Sequence, residues 1–370
     1  MTRRAFVHRI STGSPDDTSG LEAMLASGAI AAESVAAIFG KTEGNGCVND
    51  FSRGFAVAAL KATLRRHLPE AKADAVCIVM SGGVEGAMAP HIVVFEARET
   101  DEAPQPGALA LGRARTPILP YEHLGRLAQV DSVAAGVRAA MTNAGVHDPE
   151  DVHFVQIKCP LLTLARIGEI ERRGLAAATR DTLKSMALSR AASALGVGVA
   201  LGEIDRGALS EESIGRDWSL YSTRASASAG VELLDHEIVV LGASAEWGGP
   251  LRVAHAVMAD AIDVDPVRQA LAAIGLEAGG QLAAPQRHRL VAMLAKAEAG
   301  SIGRLRGYRH AMLDDSDISS TRHARGFVAG ALAGLVGHAE IYVSGGAEHQ
   351  GPDGGGPVAV IAAAEPERSL

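Results

Sequence analysis

The sequence predicts an α/β protein made of three structurally similar repeat units, set with pseudo-threefold symmetry around a central active site. Three observations lead there. "MSGGVEG" at 80–86 returns as "VSGGAEHQG" at 343–351 and, more loosely, as "ASAGVE" at 227–232. Upstream of each copy an apolar run ends at or near a lysine: Lys41, Lys158 or Lys296. Between the two, a hydroxyl residue stands directly before an arginine at the head of an Ala-rich segment. One Ser-Gly-Gly is coincidence, but three ordered sets of lysine, hydroxyl-arginine and serine mark an internal repeat.

The units read as 1–104, 112–248 and 251–370, with "APQPG" near 104–112 and "WGGPL" near 247–251 as linkers. In the first, a β-like run at 4–11 precedes a helix capped by Asp17. Strand "VAAIFGK" reaches Lys41, Ser52-Arg53 heads a helix, "AVCIVMS" delivers Ser81 and "HIVVFEA" closes the unit. The second unit opens weakly with "ARTPILPY" at 114–121. Asp131 starts its helix, "VHFVQIK" reaches Lys158, Ser189-Arg190 heads the next helix and "HEIVVLGA" ends the unit. Its serine is Ser228 rather than Ser226, because only that register aligns Gly230 and Glu232 with Gly83/Glu85 and Gly346/Glu348. The third unit runs from "PLRVAHAVMA" at 250–259 through Asp265, "RLVAMLAK" to Lys296, Thr321-Arg322, "AEIYVS" to Ser344, and "PVAVIAAA".

Composition narrows the function. With 47% apolar and 21% charged residues the chain buries a large core. At 4% aromatic, with 42 glycines, that core is built from small and β-branched side chains lying close to backbone. A net charge of −8 leaves no basic footprint, which sets nucleic acid aside. Cys47, Cys77 and Cys159 are odd in number and lack a CxxC spacing, which fits a reducing cytoplasm rather than disulfides or zinc. The run at 326–343 contains His338 and Glu340 and changes from helical to alternating character, so it reads as a core helix and strand rather than a membrane span.

Lysines and serines at the ends of apolar strands stand where α/β sheets present ligand-binding groups. Three lysines, three arginines and three serines converging on one cavity would suit a small ligand, anionic or rich in carbonyls, close to threefold symmetric itself. Each serine precedes Gly82, Ala229 or Gly345, so its hydroxyl and the next N–H both approach a carbonyl. A lysine beside a serine also suggests nucleophilic attack on an amide-type carbonyl, provided the lysine is neutral enough to accept a proton. Lys41 and Lys296 have Glu43 and Glu298 two positions on, whereas Lys158 is followed by Cys159 and Pro160. On that basis Lys158 is the expected base and Ser228 the nucleophile, with Cys159 a packed thiol.

"GKTEGNGCVNDFSR", "HFVQIKCPLL", "DWSLYSTRASASAG", "DDSDISSTRHAR" and "VSGGAEHQGPDGGGP" together resemble the cyanuric acid hydrolase and barbiturase family over nearly the full length. The resemblance implies three similar units around one active site and hydrolytic opening of cyanuric acid to carboxybiuret, which loses CO2 to give biuret. It implies Lys158 and Ser228 as the catalytic pair. Substrate binding falls to Arg53, Arg190, Arg322, Ser81, Gly82, Ala229, Ser344 and Gly345, with Lys41 and Lys296 beside them. It also implies a homotetramer and a structural metal near the C-terminal loop. That loop offers closely turned carbonyls and the Gln350 amide, suited to Mg2+ or Ca2+ once Glu298 joins Ala347, Gln350, Gly351, Pro352 and Gly355. The alternatives are barbiturase, opening barbituric acid to ureidomalonate, and a non-catalytic protein that binds a cyclic imide.

Overall fold

The computed structural model describes residues 2–364. Strands β1 (Thr2–Ser11), β2 (Val35–Thr42), β3 (Cys77–Gly82) and β4 (His91–Thr100) form one sheet in the order β3-β2-β4-β1. A second sheet uses β5 (Leu109–Arg115), β6 (Val152–Pro160), β7 (Ala225–Gly230) and β8 (Glu237–Ala243) in the order β7-β6-β8-β5. After the short β9 (Trp247–Gly248), a third sheet uses β10 (Leu251–Met258), β11 (Leu290–Ala297), β14 (Tyr342–Gly345) and β15 (Gly356–Ala363) in the order β14-β11-β15-β10. An exposed hairpin of β12 (Arg304–Leu305) and β13 (Tyr308–Arg309) separates β11 from β14. In every sheet the unit's second strand pairs parallel to its third and antiparallel to its fourth, which also pairs with its first. The chain thus folds into three similar mixed sheets.

Helix and strand periods decide which side chains meet. Helices α1 (Ser19–Ala26), α2 (Phe51–Arg65) and α3 (Glu70–Asp74) accompany the first sheet. α4 (Leu127–Ala144), α5 (Leu164–Arg172) and α6 (Thr182–Ala200) accompany the second, and α7 (Asp265–Ala273), α8 (Ala284–Arg289) and α9 (Ser320–Val336) the third. In β2 every residue is buried, because helices cover one face of the sheet and the other sheets cover the opposite face. Ala37 and Phe39 join a core shared by all three sheets, with Phe154 and Tyr342, while Ile38 faces the first unit's own core with Leu60 and Leu64. Lys41 and Ser81 continue the inward phase of Phe39 and Val79, and Lys296 and Ser344 that of Leu294 and Tyr342. A slip of one residue would turn each lysine outward.

The middle unit departs most from the sequence expectation. Its first strand is Leu109–Arg115, not 114–121, so it starts inside the stretch read as linker. Gly112 allows this, since a Cβ there would lie 2.1 Å from the Ala140 carbonyl oxygen of α4. Asp131 lies within α4, paired to Arg206. Asp17 accepts from Ser19 N–H beside α1, and Asp265 is the first residue of α7. Ser189-Arg190 falls in mid-helix, since Asp181 caps α6 at Lys184 N–H. The run at 326–343 divides into α9 and β14, and no helix among the described residues is long and apolar enough to cross a membrane.

The second supposed linker is a fastening. Trp247 is fully buried, its indole Nε1 donates to Ala144 O at 2.7 Å, Arg3 lies 4.6 Å from its ring, and its backbone pairs with β1 at Arg3. Trp247→Ala is therefore expected to destabilise the fold by about 3–5 kcal/mol, read from the denaturant midpoint; a loss below about 1 kcal/mol would show that the second unit is not anchored there.

Candidate active site

Parallel pairing places each lysine level with a serine: Lys41 with Ser81, Lys158 with Ser228, Lys296 with Ser344. All six are buried, so each ammonium needs acceptors, and these come from neighbouring units. Lys41 donates to Val343 O at 2.8 Å, Lys158 to Met80 O at 2.6 Å and Lys296 to Ala227 O at 2.9 Å. Each acceptor is the residue just before a serine of the next unit, so the three bonds run in a ring. Lys41 and Lys296 also reach Ser81 and Ser344 at 3.1 and 3.2 Å. The Ser344 hydroxyl lies 3.1 Å from that of Ser228 and 3.3 Å from that of Ser81. Beneath them Tyr342, which sequence reasoning did not single out, is a phenol that burial holds protonated.

The recurring Ser-small-Gly-x-Glu now has a physical account. Glu85 of the first unit receives Arg325 Nε and Nη2 of the third at 2.6 Å each, and Glu348 of the third receives Arg190 Nε and Nη2 of the second at 2.8 and 2.6 Å. The arginines lie where a side chain on the motif glycine would be. A Cβ on Gly83 (φ 99°) would meet Arg325 at 2.1 Å, and one on Gly346 (φ 79°) would meet Arg190 at 2.4 Å. Arg53 of the first unit donates instead to Ala229 O at 2.7 Å and Cys47 O at 2.6 Å. The cavity enclosed by the three serines, Arg53, Arg190 and Arg325 is lined as well by Gly82, Ala229 and Gly345, and by Gly46 and Met186, which the sequence reading did not include. It measures about 20 Å³, room for roughly one water.

Two expectations are corrected. Arg322 does not reach this cavity: its side chain is 42% exposed and bonded to Glu85 Oε1 of the first unit at 3.1 Å. The inward position belongs to Arg325, one helical turn on, and aligning "SRGF" at 52–55 with "ARGF" at 324–327 would have found it. The case for Lys158 as the lysine remote from acids also fails. Glu43 is exposed, whereas Lys158 Nζ has Glu232 Oε1 at 2.8 Å. Glu298 does act on Lys296 as its spacing suggested, but Glu43 does not reach Lys41, and the carboxylate beside Lys158 arrives from the loop after Ser228. Burial lowers the proton affinity of all three lysines: Lys41 well below its usual range, Lys296 to about 7, and Lys158 less freely, because Glu232 opposes the fall. Cys159 is a packed thiol, 3.5 Å from Ser228 O and raised by burial.

The residues expected around a metal lie close together in the third unit. The turn at 351–355 packs against the chain beyond Glu298, since a Cβ on Gly354 would stand 2.9 Å from Gly300 Cα. Burial and nearby Glu348 raise the Glu298 carboxyl, whose described partners are its neighbour Ala299 N–H and the Thr321 hydroxyl. A buried carboxylate beside backbone oxygens is a donor set that fits a hard cation. The Gln350 amide is otherwise engaged. Its oxygen accepts Ala227 N–H at 2.7 Å and its nitrogen donates to Gly346 O and Glu348 O, so Gln350 has only its backbone carbonyl to offer. Among the described residues no three His, Cys, Asp or Glu side chains cluster as a metal site.

The sequence matches the family described as amidohydrolase ring-opening protein over residues 6–363. The chain belongs to that family. It is 64% identical over 359 residues to the cyanuric acid amidohydrolase of Azorhizobium caulinodans, covering 97% of this chain and 98% of the relative. It is 61% identical over 363 residues to that of a Bradyrhizobium species, with the same coverage. The crystal structure of the A. caulinodans cyanuric acid hydrolase superposes with a TM-score of 0.92, covering 98% of this chain and 100% of that one. A second cyanuric acid hydrolase structure, described as an innovation by structural concatenation, gives 0.93 at 47% identity with the same coverage.

The contrast between the two third-unit arginines is measurable. Arg325→Met should lower kcat/KM by at least about 10²-fold, because it removes a buried guanidinium from the cavity wall and leaves Glu85 with Arg322 alone; Arg322→Ala should change it by less than about fivefold. The reverse order would return the site to Arg322.

Proposed function

We propose that the chain hydrolyses cyanuric acid, opening the ring to carboxybiuret, which decarboxylates to biuret, at a pseudo-threefold site between the three units. The observation that supports this most is the ring of lysine-to-carbonyl bonds around three serines, with two glutamate-held arginines and Arg53 on the cavity wall. A ring with three carbonyls at equal angles presents one acceptor to each donor set. Membership of the ring-opening family supports the reaction class, and the relatives' substrate supports the choice of ring.

In this reading neutral Lys158 Nζ takes the Ser228 proton as Ser228 Oγ bonds to a ring carbonyl carbon. The developing oxyanion lies among hydroxyl and backbone N–H donors that need no reorganisation. The C–N bond then breaks, Lys158 returns its proton to the departing ring nitrogen, and water cleaves the resulting ester by the same proton relay in reverse. The Ser81 and Ser344 sets hold the other two carbonyls, and Lys41 and Lys296 orient those serines. A second cavity of about 290 Å³, walled by Lys158, Glu232, Arg115 and Glu237, would supply the water and exchange protons with solvent.

The reading includes a structural Mg2+ or Ca2+ held by Glu298 and the carbonyls of Ala347, Gln350, Gly351, Pro352 and Gly355. It would tie the loop after Ser344 to the end of β11. It also includes a cytoplasmic enzyme, supported by three free thiols, and a homotetramer, supported by the family resemblance.

Purified protein should turn over cyanuric acid and leave barbituric acid intact; turnover of barbituric acid alone moves the activity to the pyrimidine ring, and turnover of neither leaves a binding protein. Lys158→Ala and Ser228→Ala should each lower kcat by at least about 10²-fold, with Lys41→Ala and Lys296→Ala acting chiefly on KM. Equal residual activity in all three lysine variants would sink the assignment to the middle unit. The base must be neutral, so kcat/KM should rise as pH passes upward through a pKa that burial has lowered, and a limb near an ordinary lysine value of about 10.4 would contradict it. Chelation should lower the melting temperature, more in wild type than in Glu298→Gln; melting unchanged by a chelator would dismiss the cation.

A further inference from the structure

The ring of Arg–Glu pairs is closed at two places and open at the third. Arg325 and Arg190 each direct Nε to the motif glutamate of the neighbouring unit, Glu85 and Glu348. The same pattern assigns Arg53 Nε to Glu232. Instead Arg53 Nε is buried and has no hydrogen-bond partner among the described residues, while both Glu232 oxygens are likewise buried and unpartnered as hydrogen-bond acceptors. Glu232 is drawn to within 2.8 Å of Lys158 Nζ, off the direction a hydrogen bond requires. Arg53 turns its Nη1 to Ala229 O, in the wall of the substrate cavity. Asp50 lies 3.7 Å from Arg53 Nε, so each charge has an ion-pair neighbour, Arg53 in Asp50 and Glu232 in Lys158, while the third hydrogen-bonded Arg–Glu pair is unmade, and buried polar atoms without hydrogen bonds are costly.

We propose that Glu232 is a shared counterion that exchanges between Lys158 and Arg53, and so couples filling of the cavity to deprotonation of the base. This rests on the reading of Lys158 and Ser228 as the reacting pair. With the cavity closed, Glu232 holds Lys158 as an ammonium and Arg53 bonds to the cavity wall. A ring entering between the serines competes for the space beside Ala229, and Arg53 moves to Glu232, completing the third pair. Lys158, now buried without its carboxylate, releases a proton to water in the cavity shared by Lys158 and Glu232, and the neutral amine faces Ser228. Glu232 is a positioning residue here: it touches the base and the arginine, not the reacting carbon. The other charged group acting on Lys158 is Arg53, which lowers its proton affinity, and the neighbouring Cys159 is a thiol that burial keeps protonated. Glu237, its cross-strand neighbour, is occupied by Ile78 N–H at 2.8 Å and Arg115 at 3.4 Å.

The test is the pH dependence of kcat/KM in Glu232→Gln, set against Glu85→Gln and Glu348→Gln, with folding checked by melting. Removing the carboxylate should shift the acid limb of the Glu232→Gln profile downward by about one to three pH units. Glu85→Gln and Glu348→Gln should raise KM and leave that limb in place. Arg53→Lys, which keeps the charge but loses Nε, should keep Glu232 on Lys158 in the substrate complex and so move the acid limb of kcat upward, leaving that of kcat/KM, which reports the free enzyme, in place. A limb unmoved in Glu232→Gln, with Lys158→Ala still inactive, overturns the exchange and leaves the catalytic pair standing. A limb that moves in Glu348→Gln instead, with Lys158→Ala active, overturns the pair itself and assigns the base to Lys296.

Discussion

Three lysine amines buried where three sheets meet form the constraint on which the rest of the structure depends. A buried amine requires acceptors, and although Lys296 also reaches Gly345 O of its own sheet at 3.2 Å, the acceptor common to all three comes from another unit. Each lysine is satisfied by the carbonyl just before a serine in the neighbouring unit. No unit therefore completes its own site. The shared core of Phe39, Phe154 and Tyr342 holds the sheets close, and the lysine bonds set their register around the serines.

The same reciprocity explains the small residues. Glycines at 83 and 346 are demanded both by their positive φ and by guanidinium groups of adjacent units that occupy the Cβ position. Gly112 similarly admits α4 onto β5. The sparse aromatic content and the 42 glycines are thus the compositional trace of backbone packed against backbone and arginine.

Near-symmetry also makes the departures informative. Three copies of one local arrangement would serve a symmetric ring equally at three carbonyls and give none of them a reason to react first. The middle unit breaks the pattern at Glu232, at Arg53 and through the second cavity beside Lys158. A site of three similar parts becomes one with a single distinct lysine, while the other two lysines keep their bonds to Ser81 and Ser344.

Strand alternation and motif spacing are local and repeat in order, so the three similar units, the apolar strands leading to Lys41, Lys158 and Lys296, and the preference for Ser228 over Ser226 were legible in the sequence. The Lys–Ser alignment it implied is the observed parallel register. Other features were decided only in three dimensions. Arg325 rather than Arg322 faces inward because the phase of α9 against β14 selects one face of the helix, which a pairing of hydroxyl and arginine by adjacency cannot detect. The strand at Leu109–Arg115 is hidden because a Gly-Ala run has little β signal until α4 packs on it. The carboxylate beside Lys158 lies 74 positions along the chain. Charge partners brought together by folding follow spatial distance, which residues two places away in sequence do not report.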